Sequence, residues 1–257
     1  MSEELRLHRV GGVGSDVLLL HGFGADRMSW LANQYELSQV ANVHACDLPA
    51  HGDQPALCGE VELSDIANAV IGGLESLRRS CVLVGHSLGG SIAVEVAARC
   101  PQLVSGLALL SPAGLGNGVD QDFLERFPDL SDRDPALAML RRLVVRPRLI
   151  APSVADRLLQ HLAQPAIRPA LRTIARKLVQ VDVSLQPHLA AVVASSVPRL
   201  VIWGEQDGIN QIHRAKLAEF GGQVVSLPET GHLPHIESSK AVNDALTNFL
   251  NIVGEKR

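Results

Sequence analysis

The stretch Val82-Leu-Val-Gly-His-Ser-Leu-Gly-Gly90 constrains the fold of this chain more than any other. Val82–Val84 is a short apolar, β-branched run. Ser91 to Arg99 reads as a helix with a small-residue face of Ala93, Ala97 and Ala98, stopped by Pro101. Between them Gly85-His86-Ser87-Leu88-Gly89 fits G-x-S-x-G, and strand, sharp turn and helix are the setting in which that pattern holds a strained serine above a sheet. Side chains two residues to either side of such a serine would collide, hence the glycines. With Gly and Ser each at roughly 7% of residues, three fixed positions match by chance about 0.1 times in a chain of this length, so the remaining sequence has to decide. A phosphate-cradling turn is the competing reading. No Lys follows to complete Gly-x4-Gly-Lys-Ser/Thr, and G-x-G-x-x-G is missing as well.

Read in order, the chain alternates buried strands with helices. Leu5–Val10 looks like a short amphipathic strand, and Val17–Leu20 like one buried on both faces, ending in His21-Gly22-Phe23-Gly24. A helix from Trp30 to about Val40 leads to a buried strand, Val43–Cys46, and to the turn Asp47-Leu-Pro-Ala-His-Gly52. Ser64 can cap a helix over Asp65–Arg79, and Val104–Leu110 follows the serine turn as a further strand. From Ser111 to about Ala194 no strand is expected. Proline-punctuated helices are expected there near Pro135–Val145, Ser153–Leu162, Arg168–Val179 and Leu189–Ala194, with a polar face of Arg168, Arg172 and Arg176. Alternation then resumes with a strand at Arg199–Trp203, a bend at Gly204–Gly208, a helix to about Phe220, a strand at Val224–Leu227 and a last helix at Ser238–Ile252. This pattern predicts an α/β fold, a mostly parallel central sheet flanked by helices. Its core comprises residues 1–112 and 195–257, and an all-helical lid at 113–194 is inserted after the strand ending near Leu110.

Composition narrows the function classes. The 257 residues are 46% hydrophobic but only 3% aromatic, so Leu, Val and Ala fill the core and no stacking platform for nucleic acid is available. A net charge of −4, from 23 basic and 27 acidic residues spread without blocks, argues against a nucleic-acid or membrane partner. The N-terminus is charged and lacks a signal-peptide core. Cys46, Cys58, Cys81 and Cys100 form no C-x-x-C pair, and buried free thiols at Cys46 and Cys81 fit a reducing, cytoplasmic setting.

A serine becomes nucleophilic at neutral pH only when a base takes its proton and a third group holds that base in one tautomer. In parallel sheets such groups gather where strands end. Asp207 follows the strand ending at Trp203, and His232 follows the strand ending at Leu227. Glu205 and His235 are the rival acid and base. Asp207 is preferred for its Gly-rich bend, and His232 for the freedom Gly231 gives its loop. His86 and His21 flank the site as loop-orienting groups, while His44, His161, His188 and His213 read as surface or packing residues. His232-x-x-His235 with Glu237 is not the H-E-x-x-H helix of a zinc site, so neither a metal nor a cofactor set is read. An oxyanion on a carbonyl attacked by Ser87 needs two donors, and the backbone N–H groups of Leu88 and Phe23 are the candidates.

The motifs His21-Gly-Phe-Gly24, Asp47-Leu-Pro-Ala-His-Gly52, Gly85-His-Ser-Leu-Gly-Gly90, Trp203-Gly-Glu-Gln-Asp207 and Gly231-His232…Glu237, in this order, resemble the α/β-hydrolase fold superfamily over almost the full chain. The departure is Ala50 with Asp53-Gln54, where relatives often show Gly and a nearby Ser. The resemblance implies Ser87 as nucleophile, Asp207 as acid, His232 as base, and Phe23 and Leu88 at the oxyanion hole. Leu19-Leu-His-Gly-Phe-Gly-Ala-Asp26, Ser111-Pro-Ala-Gly-Leu-Gly116 and Val201-Ile-Trp-Gly-Glu205 further resemble the hydrolase-like domain of acetoin dehydrogenase acetyltransferase components. Those proteins carry a lipoyl domain ahead of this region. Only a few residues precede the first core strand here, so the expectation is a hydrolase-like unit without one. The function expected is hydrolysis of a small acyl substrate (an ester, thioester or activated acyl group) through an acyl-enzyme. Acyl transfer, β-diketone C–C hydrolysis and a non-enzymatic small-ligand receptor are the alternatives. Oligomeric state is not legible.

Overall fold

The computed structural model describes residues 5–255, so the first four residues of the charged N-terminus lie outside them. The chain begins with β1 (Leu7–Gly11), β2 (Asp16–Leu20), α1 (Leu31–Ser38), β3 (Asn42–Cys46), α2 (Leu63–Leu77), β4 (Cys81–His86), α3 (Leu88–Arg99) and β5 (Val104–Leu110). It continues through β6 (Gly116–Val119), α4 (Gln121–Arg126), α5 (Arg133–Arg141), α6 (Pro152–Leu162), α7 (Ile167–Val179), α8 (Val181–Ser184) and α9 (Gln186–Ala194). It closes with β7 (Arg199–Gly204), β8 (Asn210–Ile212), α10 (Arg214–Phe220), β9 (Gln223–Leu227), α11 (Pro234–Glu237) and α12 (Ser239–Glu255).

Seven strands form one sheet in the order β1-β3-β2-β4-β5-β7-β9. Only β1 is antiparallel, pairing Leu7 with Cys46 and His8 with Ala45 at the edge. In the parallel centre Leu20 pairs with Gly85 and His86 with Leu110, so the loops that follow these strands emerge side by side. The mostly parallel α/β architecture expected from the sequence is the one observed.

Alternation along each strand divides the core into two faces. Leu18, Leu20 and Leu83 point to the side covered by α2 and α3, where Ile66, Leu74 and Ile92 meet them. Val17, Leu19, Val82 and Val84 point to the other side, against Leu37 of α1 and Val242, Leu246 and Phe249 of α12. Central strands buried on both faces explain why these runs read as continuously apolar.

Several local expectations are corrected. The first strand lies at Leu7–Gly11, and Ser64 sits inside the first turn of α2 instead of capping it. There Asp65 accepts the Glu62 N–H at 2.9 Å, closing the helix start from within. The stretch from Ser111 to Ala194 contains a strand after all, because β6 pairs antiparallel with β8. Gly116 and Gly118 bring no side chains to β6, so no periodicity announces it, and β8 likewise interrupts the helix expected up to Phe220. Helix α5 stops at Arg141, short of the expected Val145, since the N–H groups of Val145 and Arg146 bond the carboxylate of Glu237 instead of helix carbonyls. The arginine-rich face turns onto the inserted segment itself. Arg168 donates to the carbonyls of Pro128 and Leu130 at 2.6 and 2.8 Å, and Arg172 pairs with Asp129. Among the described residues no helix is long and apolar enough to cross a membrane.

Candidate active site

Ser87 occupies the turn between β4 and α3 with φ 50° and ψ −112°, a region that non-glycine residues rarely visit. Four hydrogen bonds hold it there. Its N–H donates to Leu110 O at 3.0 Å, and its carbonyl accepts from Gly90, Ser91 and Ala113 at 3.0, 3.2 and 3.1 Å. The flanking glycines are a steric necessity, as the sequence argument requires. A Cβ on Gly85 would lie 2.4 Å from Gly89 O, and a Cβ on Gly89 would lie 2.4 Å from Leu20 O. Backbone on both sides leaves neither neighbour free to move aside. Gly89→Ala is therefore expected to cost about 3 kcal/mol or to prevent folding, read as a lower urea midpoint with unchanged m-value.

Two further strand ends supply the partners of Ser87. His232 Nε2 lies 3.1 Å from Ser87 Oγ, and His232 Nδ1 lies 2.8 Å from Asp207 Oδ2. The other oxygen, Oδ1 of Asp207, accepts the N–H groups of Ile209 and Asn210 at 2.9 and 2.8 Å. This local turn on the bend after β7 is the reason an aspartate rather than a longer glutamate suits the position. Asn210 is itself held by Ser111 O and Pro112 O at 3.2 and 2.9 Å, which ties the Asp207 bend to the strand beside Ser87. Ser87, Asp207 and His232 are all buried, 5%, 4% and 3% exposed.

Phe23 and Leu88 stand in the loop after β2 and at the first position of α3. Among the described residues the backbone N–H of neither has an acceptor. The first N–H groups of a helix have no intrahelical partner, so Leu88 keeps a donor beside Ser87 for structural reasons alone. Phe127 of the inserted segment packs against Phe23 with ring centroids 5.3 Å apart. Aromatic contacts thus cover the loop that carries the Phe23 donor.

The rivals are elsewhere. Glu205 is exposed and faces Arg214 at 3.4 Å. His235 is fully buried between Trp30 and His86, at centroid distances of 4.5 and 4.7 Å, and among the described residues neither ring nitrogen has a partner. Burial, followed by the nearby His232, pushes the His235 pKa down to about 3, so it is a neutral packing ring. His86 is likewise held well below its ordinary value, first by burial and then by His235 and His232. Its Nε2–H donates to His232 O at 2.7 Å, which fixes the backbone of that loop from the Ser87 side. His21 donates from Nδ1 to Gly22 O and accepts the Leu48 N–H at Nε2, both at 2.9 Å, joining the loops after β2 and β3. His44 lies buried 3.3 Å from Asp16, and His161 reaches Ala50 O at 3.1 Å.

Sequence reasoning missed the second role of the His232 loop, its contact with the inserted segment. His232 N–H donates to Leu143 O at 2.8 Å, and Glu237 bonds both strands of that contact. The signal was the Gly231-His232…Glu237 spacing, which marked the residue without indicating what it holds. Among the described residues no cluster of His, Cys, Asp and Glu could hold a metal ion.

The sequence is 32% identical over 248 residues to the dihydrolipoyllysine-residue acetyltransferase component of an acetoin cleaving system from Pseudomonas putida, covering 96% of this chain and 66% of that protein. It is 28% identical to the pimeloyl-[acyl-carrier protein] methyl ester esterase of Vibrio cholerae, covering 94% of this chain and 96% of that one. The structure superposes with a TM-score of 0.85 on a meta-cleavage product hydrolase from Pseudomonas fluorescens, at 19% identity and 96% and 94% coverage. The alpha/beta hydrolase family matches residues 17–245, from the second strand into the final helix. Since that span takes in every loop that carries Ser87, Asp207, His232 and their donors, the chain belongs to the alpha/beta hydrolase family.

Proposed function

We propose that this chain cleaves an ester, thioester or activated acyl compound through an acyl-enzyme on Ser87. The observation that carries the reading is the unbroken Asp207–His232–Ser87 hydrogen-bond chain beside two N–H groups with no acceptor among the described residues. His232 Nε2 takes the Ser87 Oγ proton as Oγ bonds the carbonyl carbon. The oxyanion accepts from the N–H of Phe23 and Leu88, placed before charge develops. Collapse breaks the bond to the leaving group, which receives the proton from His232. Water then attacks the acyl carbon, gives its proton to His232, and releases the acid as Ser87 Oγ recovers a proton. Residues 113–194 act as a lid in this scheme, and four cysteines without a C-x-x-C pair suit the reducing cytoplasm.

Acyl transfer is the second reading, favoured by the 32% identity to a protein named as an acetyltransferase component. It shares the acyl-enzyme and differs only in a thiol or other acceptor replacing water.

A fluorophosphonate probe should label Ser87 in the folded wild type and leave Ser87→Ala unlabelled. Turnover of p-nitrophenyl acetate by Ser87→Ala should fall by about 10⁴-fold or more at unchanged Tm. Full activity in Ser87→Ala would falsify the mechanism. Product formation that depends on an added dithiol, with little free acid released, separates transfer from hydrolysis.

A further inference from the structure

The carboxylate of Glu237 is fully buried, five residues beyond His232, at the end of α11. A buried charge is retained only where its bonding is complete. Here Oε2 accepts the N–H of Gly231 at 2.7 Å and of Val145 at 3.1 Å. Oε1 accepts the N–H of Arg146 at 2.7 Å and lies 3.4 Å from Arg146 Nε. Arg146 also donates from Nη2 to the carbonyl of Glu237 itself. Gly231 directly precedes His232, whereas Val145 and Arg146 belong to the inserted segment. One carboxylate therefore bonds two pieces of backbone, each of which also touches the other. The His232 N–H donates to Leu143 O, and a Cβ on Gly231 would lie 2.8 Å from that same oxygen.

We propose that Glu237 is a positioning residue that couples the seating of the inserted segment to the placement of His232. The inference rests on the reading of Ser87 and His232 as nucleophile and base. With residues 143–146 seated, the His232 loop is held from Leu143 O, from Glu237 and from His86. With that segment lifted, the loop loses Leu143 O, and the carboxylate keeps only Gly231 of its backbone donors. The base is then correctly placed only while the segment lies over the site. Tight control of that kind matters because a shift of about 1 Å in a catalytic group lowers rate by roughly 100-fold. A carboxylate that merely closed the turn at Val145 and Arg146 would have no reason to accept the Gly231 N–H.

The test is Glu237→Gln in the full chain. The amide fills nearly the same space, but its NH2 cannot accept, so the variant loses either the Arg146 N–H at the Oε1 position or the Gly231 and Val145 N–H groups together at the Oε2 position. The expected result is a fall in kcat for p-nitrophenyl acetate of about 30-fold, with KM changed less than three-fold. Amide hydrogen exchange at Gly231, His232, Val145 and Arg146 should accelerate together. The downfield proton signal of the His232–Asp207 hydrogen bond should shift or broaden. An unchanged kcat per folded molecule, with faster exchange confined to Val145 and Arg146, reduces Glu237 to a turn closure and overturns the proposal. Should Glu237→Gln fail to fold, Arg146→Ala removes the guanidinium contacts and leaves the carboxylate. It should lower kcat about three-fold with the same exchange pattern, scaled down as befits partly exposed contacts, and an unchanged kcat with unchanged exchange overturns the coupling. Wild type and Ser87→Ala are run in parallel. An unlabelled wild type, or an active Ser87→Ala, brings down the catalytic reading and this inference with it. An unchanged kcat in Glu237→Gln, with Ser87 labelled in the wild type and Ser87→Ala inactive, overturns this inference alone and leaves the catalytic reading standing.

Discussion

Asp207→Asn is expected to lower kcat/KM about 10⁴-fold with the fold intact, a loss of roughly 5 kcal/mol in transition-state stabilisation. Hydrogen-bond polarity decides this outcome. Oδ1 of Asp207 accepts two backbone N–H groups, from Ile209 and Asn210. In the asparagine variant only the amide oxygen can stay there, because an NH2 would meet two donors. The NH2 must then take the place of Oδ2, 2.8 Å from His232 Nδ1. An NH2 donor at that position requires Nδ1 to be the unprotonated nitrogen. Nε2 therefore carries the proton and points an N–H at Ser87 Oγ instead of a lone pair. The imidazole stays in place but is the wrong tautomer for a base. Single-turnover acylation by p-nitrophenyl acetate, measured beside thermal unfolding, checks both halves of the expectation. A variant within ten-fold of wild type would show that the tautomer is set elsewhere.

The second large effect concerns stability in acid. Burial, with a lesser push from His21, lowers the His51 pKa to about 3, and burial with His232 lowers His235 to the same value. His21 and His86 are displaced in the same direction, burial again being the main cause. The folded chain keeps these rings neutral, whereas in the unfolded chain they take up protons below the ordinary value of 6.5. Between about pH 3 and 6.5 the unfolded state therefore binds more protons, and stability rises with pH across that window. Above it the contribution is complete, within it stability falls by about 1.4 kcal/mol per pH unit for each such histidine, and below it no more is lost. His51 and His235 alone give a fall of roughly 3 kcal/mol between pH 6.5 and pH 5. Urea titrations at those two values provide the measurement. His235→Phe keeps a ring between Trp30 and His86 and removes two nitrogens that have no partner among the described residues. It should flatten the slope by the equivalent of one proton. A slope unchanged in that variant would mean that His235 takes no part in acid unfolding.

The parts of the molecule that can be read from the chain are those governed by short-range rules. Runs such as Val17–Leu20 and Val82–Val84 announce strands because both faces are covered. The clash geometry around Ser87 demands Gly85 and Gly89 wherever the turn occurs. Asp207 and His232 emerge once loops are ranked by their place after strands, and the structure brings both to Ser87 while leaving Glu205 and His235 away from it. What escapes is set by contacts between distant segments. Glu237 bonds Val145 and Arg146 across 92 and 91 residues of sequence, and nothing local to α5 shows why it ends early. Strand β6 pairs through glycine backbone with a three-residue partner, too short for any period to appear. The burial of His51 and His235 depends on which way each ring turns, which composition does not encode.

The pairing of β5 with β7, Leu107 opposite Arg199 and Leu110 opposite Ile202, has an architectural consequence. Two adjacent parallel strands need a link of about a dozen residues and one covering helix to return the chain to the starting edge. Helix α9, packed beside α3, already meets that requirement. Everything from β6 to α8 is a detour that the sheet itself does not need, although its apolar side chains have joined the same core. Such a detour can lengthen, shorten or be exchanged between relatives while the sheet register stays put. Chemistry and selectivity can then diversify at different speeds, with residues 143–146 the stretch of the detour that bonds the His232 loop and Glu237.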